Sequence, residues 1–150
     1  MIVFGCSTQK NNFVNREYNA LNTKFNVVFN GKEALSIGKA ILYQNLEDDF
    51  LNILPVEPIL LAGEDQENNA SIPSFSIAEE KAVKAIQKHS MNIEGKQRNR
   101  QIQEAYLLLG KARYYDRRFL PALEAFNFLL EEYGGQEAFY EGKLWREKTN

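Results

Sequence analysis

With 150 residues, 44% hydrophobic and 25% charged, and a net charge of -2, the chain has the size and balance of one globular domain rather than of a disordered or fibrous chain. Acidic and basic residues are nearly matched in each third of the sequence, which offers no footing for nucleic acid or for an anionic membrane surface. A single Cys and a single His make neither an intramolecular disulfide nor a common zinc site, no apolar run nears the ~18 residues that span a bilayer, and no cofactor is expected.

The chain opens Met1-Ile2-Val3-Phe4-Gly5-Cys6-Ser7-Thr8. Apolar and small residues before a Cys are similar to the end of a bacterial lipoprotein signal peptide, with Cys6 as the acylated residue; the alternative is a free or buried thiol. That resemblance implies an upstream apolar segment with a basic start, and Ser7 after the Cys implies sorting to the outer membrane. Residues 1–14 then read as lipobox and tether. Ser7 to Val14, fully extended, would reach about 25 to 30 Å from the membrane.

Residues 15–48 read as a degenerate first helical repeat. Tyr18, Leu21, Phe25 and Val28 recur at helical spacing up to an expected stop at Asn30-Gly31. Ala34, Gly38 and Ile41 then place small residues on a second helix. The spacing of 12 residues from Asn22 to Ala34 equals that from Gly110 to Ala122 further along.

Residues 49–76 read as a linker or insertion. Pro55 to Ser76 holds three of the four prolines, four acidic residues and no Lys or Arg. Its apolar members Ile59, Leu60 and Phe75 are candidate partner contacts, against the plainer reading of a surface loop.

Helical patterning resumes at Ser76, an expected N-cap with Glu79 three residues on. Ala78, Ala82 and Ala85 recur as small residues on a helix whose buried side also takes Val83, Ile86 and His89. His89 reads as a core residue, since no Ser, Cys or carboxylate is placed to form a triad with it. Asn92 to Gln101 is a polar linker. Its Lys96, Arg98 and Arg100, with Arg113, Arg117 and Arg118, form either a basic patch or a solvated face.

From Gln103 to Gly135 the pattern is a helical hairpin. Ile102, Ala105, Tyr106, Leu109 and Ala112 share one face, Asp116-Arg117-Arg118 makes the turn, and Phe119, Ala122, Leu123, Phe126, Leu130 and Tyr133 share a face of the next helix. Pro121 sits in the first turn, and Gly134-Gly135 terminates. Tyr106-x2-Leu109-Gly110 followed by Ala122-x3-Phe126 resembles the tetratricopeptide repeat of about 34 residues, with Arg113 as a departure where an aromatic is usual. An ordinary helical hairpin in a bundle is the alternative. Phe139, Gly142 and Trp145 start a third pattern without a polar terminal cap, so the polypeptide is expected to continue past Asn150.

The resulting expectation is an all-α, tetratricopeptide-repeat α-solenoid of helical hairpins behind an extended lipoprotein tether, with residues 77–150 as its repeat region. Tyr18, Leu21, Ala34, Gly38, Tyr106, Leu109, Gly110, Ala122 and Phe126 are its expected packing residues.

Several stretches together resemble the amino-terminal region of the PorW/SprE family of tetratricopeptide lipoproteins of type IX secretion and gliding motility. They include Phe13-Val14-Asn15-Arg16, Ala20 to Asn26, Ile53 to Glu57, Ala78 to Ala82, Ala85 to Met91, Glu104 to Tyr114 and Trp145 to Asn150. Pro58 to Ser76 does not match. The resemblance implies a periplasm-facing outer-membrane lipoprotein, anchored at Cys6, that scaffolds secretion or motility proteins, including an outer-membrane translocon and periplasmic components. It implies no catalysis and no nucleic acid. A soluble repeat adaptor with Cys6 unmodified, and an enzyme using His89, are the competing readings.

Overall fold

The computed structural model describes Thr8, residues 12–44, Glu57, Ile59 and residues 72–150, and these are mostly helical. Helix α1 (Phe13–Asn22) passes through a π-helical segment (Thr23–Val28) into α2 (Phe29–Gln44). Then come α3 (Pro73–His89), a hairpin of β1 (Asn92–Ile93) and β2 (Lys96–Gln97), α4 (Ile102–Tyr115), α5 (Phe119–Glu132) and α6 (Glu137–Thr149).

The helices stack in two layers. Side-chain pairings show their directions: Gly38 lies against Phe75 while Gly31 lies against Ala78 and Lys81, so α2 and α3 run antiparallel. Gly110 against Phe126 and Arg113 against the Pro121 carbonyl do the same for α4 and α5. Lys32 reaches Glu104 and Lys39 lies over the Tyr115 ring, so α2 and α4 run parallel. The first helices of successive pairs, α2, α4 and α6, thus form one layer, and α3 and α5 the other.

One contact recurs between the layers. A Cβ at Gly38 would collide with the ring of Phe75, a Cβ at Gly110 with the ring of Phe126, and a Cβ at Gly142 would lie 2.6 Å from Leu129 Cδ2. Ala78, Ala82, Ala85, Ala105, Ala112 and Ala122 are fully buried at neighbouring crossings. Small residues on one helix make the socket, and a ring or Leu on the next fills it.

The amino-terminal third departs from the sequence expectation. Asn30-Gly31 does not stop a helix, because Phe13–Gln44 is one continuous helical rod. Gly31 serves close packing instead: a Cβ there would lie 2.6 Å from Leu108 Cδ2. The 15–48 hairpin is therefore corrected, and Gly38 belongs to the first helix of a pair completed by α3, across the insertion. The equal spacing of 12 residues is fortuitous.

Tyr18 and Leu21 are also corrected as packing residues. They are exposed, and the buried face of this stretch consists of Asn19, Ala20, Thr23, Val27 and Val28. The π segment adds a residue to the turn, so a 3.6-residue count carried through it places residues on the wrong side. Thr23 Oγ1 donates to the Asn19 carbonyl at 2.6 Å, Asn26 Nδ2 to Asn22 Oδ1 at 2.5 Å and Asn30 Nδ2 to the Asn26 carbonyl at 2.6 Å, a ladder of side-chain donors along the widened turns.

Helix α3 starts at Pro73 rather than at Ser76, which is exposed and inside the helix; proline at the first helical position loses no hydrogen bond. The α4–α5 turn falls at Asp116 to Arg118 with Arg117 in the left-handed region, and Gly135, at φ 77°, lies in the connection from α5 to α6. We predict that Gly110→Leu, which forces a branched side chain into the Phe126 ring, costs at least about 1 to 3 kcal/mol. For a chain of this size that is a fall of several degrees in the thermal midpoint measured by circular dichroism. An unchanged midpoint would contradict the interlock.

Candidate functional site

A groove of about 640 Å³ opens where the amino-terminal ends of α2, α4 and α6 lie side by side. Phe25, Phe29 and Lys32 line it from the first rod, Glu104 from α4, and Glu137 and Glu141 from α6. Lys32 Nζ pairs with Glu104 Oε2 at 2.6 Å, and Lys111 pairs with Glu141, so acids and bases alternate along the floor. Phe25 and Phe29 stand exposed at one wall. The Glu141 carboxyl is pushed up by burial, but the Lys111 hydrogen bond and charge outweigh this and hold it below its ordinary range. The wall is thus aromatic and the floor lined with paired acids and bases, an environment suited to a protein segment with both apolar and charged side chains.

The groove's wall is positioned by a polar knot. Asn99, fully buried in the connection from α3 to α4, donates through Nδ2 to Thr23 Oγ1 at 3.0 Å and to the His89 carbonyl at 2.8 Å. Its Oδ1 accepts the Gln101 backbone N–H at 3.0 Å, turning the chain into α4. Gln97 Oε1 accepts the backbone N–H groups of Met91 and Asn99 at 2.8 and 2.9 Å. The β1–β2 hairpin, turned by Glu94 and Gly95 at positive φ, delivers both amides to this spot. What reads in sequence as a plain polar linker is therefore the clasp between the first rod and α4. An Asn three residues before a helix start was its one sequence signal.

His89 is half-buried with Nδ1 3.3 Å from Asn19 Oδ1. Burial, then the Lys84 and Lys88 ammoniums, holds its pKa below the ordinary value. Its recorded partner is an amide oxygen, not a carboxylate. Among the described residues no cluster of His, Cys, Asp and Glu could hold a metal ion, and no helix is long and apolar enough to cross a membrane.

On the opposite end of α4, Glu79 accepts Arg113 Nε at 2.8 Å and also pairs with Arg118, while Arg118 Nε meets Asp116 Oδ2 at 2.7 Å. Arg113, the departure from the repeat pattern, thus ties α3 to the start of α5. Of the six cations taken together as a patch, Arg113 and Arg118 pair with these acids and Arg100 pairs with Glu17 at 3.6 Å.

Of the packing residues, Ala34, Gly38, Leu109, Gly110, Ala122 and Phe126 are buried, and Tyr106 is half-buried with its ring 4.4 Å from that of Phe128. The partner contacts fare differently. Phe75 is buried, stacks on Tyr115 at 5.6 Å and is corrected as a docking residue. Ile59 is half-buried, with part of its apolar surface packed against the main core. Cys6 and Leu60 lie outside the described residues. Nearby Glu57 is latched to the body, accepting Tyr115 Oη at 2.7 Å and Lys148 Nζ at 2.6 Å.

In comparisons with known proteins, the chain matches no family model and no curated sequence.

Two outcomes follow. Asn99→Ala leaves the Thr23 hydroxyl and the His89 carbonyl without this partner and costs about 1 to 3 kcal/mol; chemical denaturation measures it, and a loss below about 0.5 kcal/mol would show that the knot is not needed. For Glu79, burial raises the pKa, but hydrogen bonds from Arg118 and Arg113 prevail and the folded value lies below 4.5. A depressed acid stabilises above its unfolded pKa, and that contribution is lost as pH falls below 4.5. Denaturation midpoints of Glu79→Gln should therefore be lower than those of the parent at pH 7 and converge with them towards pH ~3.

Proposed function

We propose that this protein is a tetratricopeptide-repeat scaffold, an outer-membrane lipoprotein anchored at Cys6 that holds other proteins of a type IX secretion or gliding-motility apparatus at its periplasmic face. The observation that carries the scaffold reading is the recurring interlock of Gly38 with Phe75 and Gly110 with Phe126 between stacked helix pairs, with the first helices lining a shared groove. Repeat stacks of this kind hold protein segments on the surface that the first helices form. The secretion role and the lipid rest on the sequence resemblance, which spans most of the chain. The reading assigns no catalysis, and the groove's occupant is a protein segment.

A photocrosslinking amino acid at Phe29 or Lys32, on the groove wall, should capture an outer-membrane translocon subunit or a periplasmic component in cells, while the same probe at exposed Leu120 should not. In parallel, Cys6→Ser should move the protein from the outer-membrane fraction to the soluble one, because several acyl chains hold where one does not. Capture without any change of fraction on Cys6→Ser would favour the soluble adaptor. Equal capture at Leu120 and at the groove would remove the groove from the reading.

A further inference from the structure

The face of α1 that points away from the body is apolar. Val14, Tyr18, Leu21 and Phe25 are 66, 50, 54 and 59% exposed. Within α1, at 100° per residue, Val14, Tyr18 and Leu21 lie in one narrow stripe on the side away from buried Asn19 and Ala20, and Phe25, in the π segment that follows, is exposed beyond its end. Among the described residues, all four of these side chains are at least half exposed. The spacings of four and three from Val14 to Tyr18 to Leu21 are those of a coiled-coil seam, and the exposed Phe25 of the π segment extends it by one layer.

We propose that this seam pairs two copies of the chain through an antiparallel helix contact centred between Asn19 and Ala20. The orientation follows from size and charge. Antiparallel pairing sets Val14 opposite the partner's Phe25 and Tyr18 opposite the partner's Leu21, so each layer joins an aliphatic side chain to an aromatic one. It also brings Glu17 beside the partner's Lys24, twice by symmetry, at the flanking positions where such ion pairs set orientation. A parallel pair would stack Tyr18 on Tyr18 and Phe25 on Phe25, and would set Glu17 beside the partner's Asn22 and Lys24 beside the partner's Phe29, with no ion pair. Glu17 is available for this role, since its contact with Arg100 is long, at 3.6 Å, and exposed. The helix is also preformed, being one rod with α2, so association bears no nucleation cost.

The four side chains cover roughly 400 to 500 Å² per copy, at the small end of specific interfaces. An interface of this size suits a weak, reversible dimer whose on and off states follow local concentration. The inference does not rest on the proposed secretion role, and the seam shares only Phe25 with the groove wall.

Sedimentation of the full chain from 5 to 200 μM should show a monomer–dimer equilibrium. Leu21→Glu, at an exposed position, should keep the helical spectrum and weaken association at least tenfold. Glu17→Lys alone should also weaken it, and Glu17→Lys with Lys24→Glu should restore it, which separates the seam from non-specific stickiness. In a Cys6→Ser background, mixing Tyr18→Cys chains with Leu21→Cys chains should give the mixed disulfide in preference to either homodimer. A monomer throughout the range overturns the proposal, as does a preference for homodisulfides. Binding of a monomeric chain to phosphatidylethanolamine and phosphatidylglycerol vesicles, lost on Leu21→Glu, would assign the face to lipid and overturn it equally.

Discussion

The structure depends on how closely the helix backbones approach one another. Where Gly110 faces the Phe126 ring there is no space for even a methyl group, and the same holds for Gly38 and Phe75. Each contact fixes the separation and the rotational setting of two helices at once, because a ring fits its socket in one register only. Apolar area alone would permit many sliding arrangements of helices rich in Leu and Ala; the sockets remove them. The aromatic cluster at the carboxyl end of α4 follows from this setting. Tyr114 and Tyr115 meet Trp145 at 5.3 and 5.7 Å because Gly142 lets α6 lie against α5 at the required distance.

The two ends of α4 are secured by different chemistry. At its start the buried Asn99 knot gathers the π segment, α3 and α4 through directional hydrogen bonds, which tolerate little displacement. At its end Arg113, Arg118, Glu79 and Asp116 form an ion network that is partly solvated and so softer. The groove lies at the directional end. Its wall of Phe25 and Phe29 is carried by the segment that Thr23 ties to Asn99 and whose Val27 and Val28 pack with Ala85 and Ala105, so the groove's geometry is set by a polar knot together with a small apolar cluster.

Up to Val28, the amino-terminal rod meets the body through a narrow face of Asn19, Ala20, Thr23, Val27 and Val28. Its widened turns shift the residues that follow, placing Val27 and Val28 inward together and Phe25 and Phe29 outward. The result is a helix with a modest polar and small-residue face against the body and an apolar face towards solvent, the reverse of an ordinary surface helix.

The α4–α5 hairpin was legible in the sequence because its information is local: an unbroken period of 3.6, a proline in the first turn of α5, and glycines after its end. The all-helical class and the small-residue positions of α3 came from the same source. Three things were decided only by tertiary structure. Whether Gly31 stops a helix or admits Leu108 depends on a residue 77 positions away. Which face of the first rod is buried depends on a π segment, whose side-chain ladder breaks the period on which sequence reading relies. That Phe75 is core rather than docking surface depends on Gly38 lying across from it. Periodicity shows that a helix has faces, but only the neighbouring helix decides which face it covers.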